Sequence, residues 1–222
     1  MLDYEFTLGG STFHAAPTGA LWWPAQRILA VSDLHLGKTE RLMRIGGPSL
    51  PPYEIRDTLM RLEHDVDRFD PDHIISLGDS FDDITSVQSL TPDDLSSLTR
   101  LQSGRQWTWI TGNHDAGQFG LDGQNHESLS RENIDFRHIA DTTQTNCEIS
   151  GHYHPKASIT VKRQRLTRSC FLLDERRLIL PAYGTYTGGL DCARQPLCDI
   201  MSTGAIAILT GKTARAIPMP RR

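Results

Sequence analysis

Apolar residues in this chain come in short runs that break off at polar clusters. Four runs have strand length, RILAVS (27–32), DHIISL (72–77), WTWIT (107–111) and NCEIS (146–150), and each is followed at once by a polar cluster. The stretches between the first three read as helices. Ile55, Leu59, Leu62, Val66 and Phe69 recur at steps of four and three, one apolar stripe that stops before Pro71. A second helix opens at TPDD. Thr91 suits its N-cap, Pro92 its first position, and Asp93 and Asp94 the positive end of its dipole, ahead of Leu95, Leu98 and Leu101, with Gly104 as the stop. Strands alternating with helices need crossover connections, so the first half predicts a largely parallel sheet. From about Ala157 onward the pattern changes to short strand candidates, ASITVKR, CFLLD, RLILPA and GAIAIL, which predict a second, more antiparallel sheet.

Composition narrows the class without naming a chemistry. With 222 residues, 38% hydrophobic and 23% charged, and with no repeat, low-complexity tract or rich linker, residues 1–222 read as a single α/β globular domain. No apolar run reaches the roughly 20 residues of a membrane span, and MLDYEFTLGG lacks the basic-then-apolar pattern of a signal peptide, so a cytoplasmic location is expected. Cys147, Cys170, Cys192 and Cys198 form no C-x-x-C pair and read as buried or idle thiols. A net charge of −4 gives no global attraction to nucleic acid.

The chemistry collects after the strands, in SDLHLG (32–37), LGDSFDD (77–83), TGNHD (111–115) and SGHYH (150–154). Ligands of open α/β sheets bind at the C-terminal strand edge, so these clusters are expected to converge. Asp33, His35, Asp79, Asn113, His152 and His154 mix hard oxygens with imidazole nitrogens, a set suited to Mn, Fe or Zn rather than to a structural thiolate zinc site. If the backbone is extended, D-x-H and H-x-H each put both side chains on one face. The set exceeds what one ion needs, which implies two metals with a bridging carboxylate. Gly78, Gly112 and Gly151, each just before a proposed ligand, allow close backbone approach.

Taken in order, D-x-H, G-D-x-x-D, G-N-H-D and G-H-x-H resemble the calcineurin-like metallophosphoesterase superfamily. That resemblance implies a four-layer α/β/β/α sandwich of two mixed β-sheets flanked by helices, without a separate cap domain. It also implies that Asp33, His35, Asp79 and His154 hold one metal, and that Asp79, Asn113, His152 and a further histidine hold the other. His138, after the strand-like IDF (134–136), is chosen for that position over His126, which sits in the loop-like GLDGQNHES. The superfamily's arginine after G-D-x-x-D is replaced here by Asp83, and Arg41 is the nearby candidate for phosphate contact. The longer phrases DLHLGKTER, LPPYE, LGDSFDD, EISGHYHPK and ILPAYGTYTGGLD are similar to the ligase-associated DNA damage response endonuclease family. This closer resemblance implies a phosphodiesterase acting on DNA, with a repair ligase, a helicase and an exonuclease as partners.

The expected reaction is hydrolysis of a phosphodiester at two divalent ions, Mn²⁺ first, with His114 as general acid and Asp115 orienting its ring. Arg163 and Arg165, in the basic VKRQRLTR (161–168), are further candidates for backbone phosphates, with a solvated hairpin as the other reading. A phosphomonoesterase or nucleotide pyrophosphatase can use the same centre, and a metal-free scaffold is the non-enzyme rival. Only 36 residues separate Asp115 from His152, which leaves little room for a cap and favours an open site. Oligomeric state is left open. His14, His64, His73 and Asp70 are assigned to solvated faces or turns, Trp22, Trp23, Trp107 and Trp109 to the core, and Arg221 and Arg222 to a frayed end.

Overall fold

The residues ahead of position 24 build three strands that lie outside the four apolar runs, the first two by alternating apolar positions and the third by the short stretch LWW. In the computed structural model, which describes residues 2–114 and 120–221, β1 (Tyr4–Leu8), β2 (Ser11–Ala15) and β3 (Leu21–Trp23) form an antiparallel meander. Each of the first two strands buries every second residue, Phe6 and Leu8, then Phe13 and Ala15, so its apolar content is spread too thinly to form a run. The meander pairs antiparallel with β4 (Ile28–Val31). Beyond it β4, β5 (His73–Leu77), β6 (Gln106–Ile110) and β7 (Gln124–His126) run parallel, as the crossover argument requires.

The connections hold the helices α1 (Lys38–Arg44), α2 (Glu54–Phe69), α3 (Ile84–Gln88) and α4 (Pro92–Gln102). Leu59, Leu62 and Val66 of α2 are buried with Leu29 and Ile74 of the sheet, each contributing about 1.5–3 kcal/mol. At α4 the Thr91 hydroxyl accepts from the Asp94 N–H at 3.2 Å and the Asp94 carboxylate accepts from the Thr91 N–H at 3.0 Å, a reciprocal cap.

The second sheet begins at Ser128, earlier than the expected Ala157. β8 (Ser128–Arg131), β9 (Ile134–Arg137) and β10 (Cys147–Ser150) precede the hairpin of β11 (Lys156–Val161) and β12 (Gln164–Leu173). β13 (Arg177–Ile179), the short helix α5 (Leu197–Ile200), β14 (Ile206–Leu209) and β15 (Arg215–Pro218) complete it. The strand order is β15-β14-β12-β13-β10-β9-β8, parallel where β9, β10 and β13 meet and antiparallel elsewhere.

Three apolar clusters define the layers. One joins Phe13, Trp23 and Ile75 of the first sheet to Phe136, Phe171 and Ile208 of the second. Another packs the first sheet on α2 and α4, and a third packs Leu172 and Ala207 of the second sheet on Leu197 of α5 and Met201. The result is helices, sheet, sheet and helix, stacked. All four tryptophans are core residues. Among the described residues no helix is long and apolar enough to cross a membrane.

Two expectations fail here. Arg221 is not frayed, because its guanidinium donates to the carbonyls of Cys198 at 2.8 Å, Met201 at 2.9 Å and Ser202. His73 is not solvated: it is 6% exposed in β5 with Nε2 2.9 Å from the Thr108 hydroxyl. Burial, assisted by the positive charge of Arg131, pushes its pKa down from 6.5 to about 4. Below pH 6.5 the unfolded chain therefore takes a proton that the folded chain refuses until about pH 4. This site leaves stability intact above pH 6.5 and lowers it as pH falls through that window. Between pH 7 and pH 5 the native chelated protein is expected to lose roughly 2 kcal/mol more than His73→Gln in urea titrations; equal losses would contradict this.

Candidate metal centre

Six parallel strands, β4, β5 and β6 of the first sheet and β9, β10 and β13 of the second, send their C-terminal ends to one basin. Backbone hydrogen bonds lace the loops that follow. Asp33 N–H donates to Gly78 O at 3.1 Å and His35 N–H to Asp79 O at 2.9 Å, which zips the first two loops. Gly151 N–H donates to His138 O at 2.9 Å, joining two loops of the second sheet, and Gly184 N–H donates to Asp33 O at 3.1 Å, tying the second sheet to the first.

The extended backbone expected of D-x-H and H-x-H is not what forms. Asp33, His35, Asp79, His152 and His154 all have positive φ, between 45° and 71°. Left-handed backbone costs a non-glycine residue on the order of 1 kcal/mol or more, and such strain concentrates where function needs a fixed geometry. Five of the eleven non-glycine positive-φ residues among those described lie in this basin. Two neighbours admit no side chain. A Cβ on Gly112 would collide with the backbone nitrogen and carboxylate of Asp79, and one on Gly151 with the hydroxyl of Ser32.

The side chains meet in two clusters, each with its ligand atoms within 4.8 Å of one another: Asp33, His35 and His154, and Asp79, His138 and His152. In the first, His154 Nε2 lies 3.1 Å from Asp33 Oδ1 and 3.4 Å from His35 Nε2. In the second, His138 Nε2 lies 3.4 Å from Asp79 Oδ2 and 3.1 Å from His152 Nδ1. Asp79 Oδ2 is also 4.0 Å from His35 Nε2, so one oxygen faces both clusters. Asn113 joins the second cluster through its amide, 3.3 Å from His152 Nδ1.

Each carboxylate has one oxygen pinned by donors from its own surroundings and the other turned toward the histidines. Asp33 Oδ2 accepts from the Ser32 hydroxyl and the His152 N–H, leaving buried Oδ1 without a hydrogen-bond donor. Asp79 Oδ1 accepts from the His114 N–H at 2.9 Å. The histidines are oriented likewise: His138 Nδ1 donates to Leu77 O at 2.8 Å and His35 Nδ1 lies 2.9 Å from Asp82 Oδ1, turning both Nε2 lone pairs inward. Lone pairs converging on lone pairs, with a buried orphan oxygen among them, fit bound cations. His138 answers to the same carboxylates. Burial favours its neutral form, but the Asp79 hydrogen bond and the Asp33 and Asp79 charges outweigh that and raise its pKa. Burial likewise opposes the charge on Asp79, yet the contacts from His138, His114 and His35 hold its carboxyl well below the usual range.

Asp82, the last residue of G-D-x-x-D, is given no role by sequence reasoning. It is 1% exposed, and besides His35 it holds Lys38 Nζ at 3.6 Å and Arg41 Nη1 at 3.1 Å, while its carbonyl accepts from His114 Nδ1 at 2.8 Å. Burial alone would raise its pKa, but His35, Lys38 and Arg41 bring it down to about 2. The available signal was an acid three residues from Asp79 beside two nearby cations, Lys38 and Arg41. Asp82→Asn is expected to weaken Mn²⁺ binding about 10–100-fold by freeing the His35 ring. Calorimetric titration checks this, and unchanged affinity would remove Asp82 from the account.

Arg41 thus sits one layer outside the clusters, between Asp82 and Asp83, whose carboxylate lies 3.7 Å from Arg41 Nε. His114 is exposed at the mouth, and Asp115 lies outside the described residues. His126 is exposed on β7 beside Gln124, away from both clusters. Arg163 and Arg165 are exposed on the β11–β12 hairpin, Arg163 in its turn and Arg165 3.1 Å from the Ser158 hydroxyl, and neither joins the clusters.

A model of the calcineurin-like phosphoesterase family matches residues 26–176. The chain is similar to the crystal structure of Pseudomonas putida nuclease MPE, at 26% identity over 97% of this chain and 100% of that one, with a TM-score of 0.77. A protein of Streptococcus pneumoniae TIGR4 described as a predicted phosphoesterase is similar at 15% identity over 86% and 95%, with a TM-score of 0.32. No curated protein matches the chain.

Proposed function

Because the chain belongs to the calcineurin-like phosphoesterase family, we propose that this phosphoesterase is a binuclear phosphodiesterase acting on DNA. The observation that carries the binuclear reading is the Asp79 oxygen facing both clusters. The likeness to a nuclease that the chain matches over nearly its whole length supports the nucleic-acid reading.

Asp33, His35, His154 and Asp79 would hold one divalent cation, and Asp79, Asn113, His138 and His152 the other, with Mn²⁺ favoured by the oxygen and imidazole donors. Such a pair supplies Lewis acidity toward the phosphoryl oxygens and a hydroxide nucleophile near neutral pH. The protein's own contribution is orientation and proton delivery. Asp82 fixes the His35 ring by its carboxylate and the His114 ring by its carbonyl, so one buried residue aligns a ligand with the proton donor. With Nδ1 committed to that carbonyl, His114 presents Nε2 outward to protonate the departing oxygen. Arg41, held by Asp82, is the candidate to meet a non-reacting phosphoryl oxygen.

The test is a substrate panel in Mn²⁺: bis(p-nitrophenyl) phosphate, p-nitrophenyl phosphate, mononucleotides, cyclic nucleotides, single-stranded DNA and nicked duplex. Diesters and DNA turned over in preference to monoesters support the proposal. Preference for monoesters or free nucleotides sinks it in favour of a small-substrate enzyme.

A further inference from the structure

We infer that the open groove at the base of the β11–β12 hairpin is a track for the phosphate backbone of a single nucleic-acid strand leaving the metal centre. The inference rests on the phosphodiesterase reading above and adds where the polymer runs. The groove, about 730 Å³, is lined by Lys156, Thr167, Arg168, Ser169, Thr210 and Lys212, with Gly211. Three cations and three hydroxyls line it without a carboxylate, on a chain whose net charge is −4.

Some of the chain's basic residues are neutralised by carboxylates and others, those of the groove included, are not. Arg27, Arg41, Arg68 and Arg177 each lie within 3.1 Å of a carboxylate. Among the described residues, Lys156, Arg168 and Lys212 have no ion-pair partner. Cations without a carboxylate partner that line one groove attract a polyanion.

The groove is linked to the centre through Lys156. Lys156 lies two residues past His154, and its ammonium donates to Thr187 O at 3.3 Å, in the loop whose Gly184 N–H is bonded to Asp33 O. From there the lining passes over three segments of the chain. Lys156 stands opposite Ser169 in the hairpin register, Thr210 N–H donates to Ser169 O at 2.9 Å, and Lys212 lies two residues on. A strand whose reacting phosphate lies at Asp33 and His154 therefore meets Lys156 first and Arg168 and Lys212 beyond it. Mononucleotides are too short to use this track.

The test is fluorescence anisotropy with the full chain in chelator, so that bound strands persist, across thymidylate and uridylate oligomers from dimers to roughly a dozen residues. Affinity is expected to rise with length. Neutralising Arg168→Gln with Lys212→Gln is expected to weaken the longest oligomers at least about tenfold and to reduce the slope of log affinity against log salt by about 1.4, or 0.7 per phosphate contact. Thermal melting confirms that the variant is folded. Arg105→Gln with Arg131→Gln, one just before β6 and the other at the end of β8, is the charge control and should leave the slope unchanged. Equal binding of ribose and deoxyribose strands fits a backbone track. An unchanged slope in the Arg168 and Lys212 variant, or an equal fall in the control, overturns the inference. Loss of diester hydrolysis by the native protein would instead count against the proposed function, which this binding measurement leaves separate.

Discussion

Asp79→Asn is expected to abolish cation binding at both clusters and to lower kcat/KM for bis(p-nitrophenyl) phosphate by more than about 100-fold, beyond the upper end for outer-layer partners of a metal. The substitution is nearly isosteric, and asparagine tolerates the left-handed backbone of this position, where φ is 48°. Its remaining carbonyl oxygen can keep the 2.9 Å bond from the His114 N–H. What disappears is the charge and lone pairs of Oδ2, the atom that faces His138 at 3.4 Å and His35 at 4.0 Å. In its place stands an N–H group pointing at imidazole lone pairs. Elemental analysis of the purified variant checks the outcome: loss of one metal alone would assign Asp79 to a single cluster, and two tightly held metals would refute the bridge.

His114→Ala separates chemistry from metal binding. The ring belongs to neither cluster, stands edge-on to His35 at 5.4 Å between centroids, and is exposed at the mouth of the basin. Metal content should therefore stay at the native level while kcat falls by about 10²–10⁴-fold, the usual contribution of a positioned proton donor. The dependence on leaving group distinguishes that role from a merely structural one. A nitrophenolate departs readily without a proton, whereas the alkoxide of a nucleotide does not, so the loss should be larger on an oligonucleotide than on bis(p-nitrophenyl) phosphate. Equal losses on both, or turnover unchanged on both, would take proton delivery away from His114.

What the sequence disclosed and what it hid follow from range. Periodicity and caps are local, so α2 with its Leu59, Leu62 and Val66 stripe and α4 with its Thr91 cap are legible from a few neighbouring residues. The β1–β3 meander was hidden because the buried positions of β1 and β2 alternate with exposed ones over only five residues and β3 has only three residues. The start of the second sheet was placed late because β8 and β9 carry few apolar residues and gain stability from partners distant in the chain. At the site, oxygen and imidazole donors after each strand pointed to one basin. Which atoms face inward depended on loop conformation, and there the extended reading of D-x-H failed: the backbone hydrogen bonds between loops hold left-handed residues that no two-residue spacing reveals. Asp82 was hidden for a related reason, since its partners His35, Lys38 and Arg41 gather around it only once the first two loops are zipped. His73 looked like a turn residue and is a neutral imidazole buried in a central strand.

Anomalous diffraction from crystals of the native protein soaked in Mn²⁺ tests the central claim most directly. The expected result is two peaks about 3.5–4 Å apart, one among Asp33, His35 and His154 and the other among Asp79, His138 and His152, with Asp79 Oδ2 between them. A single peak, or none among these side chains, would contradict a cation pair built on that shared oxygen.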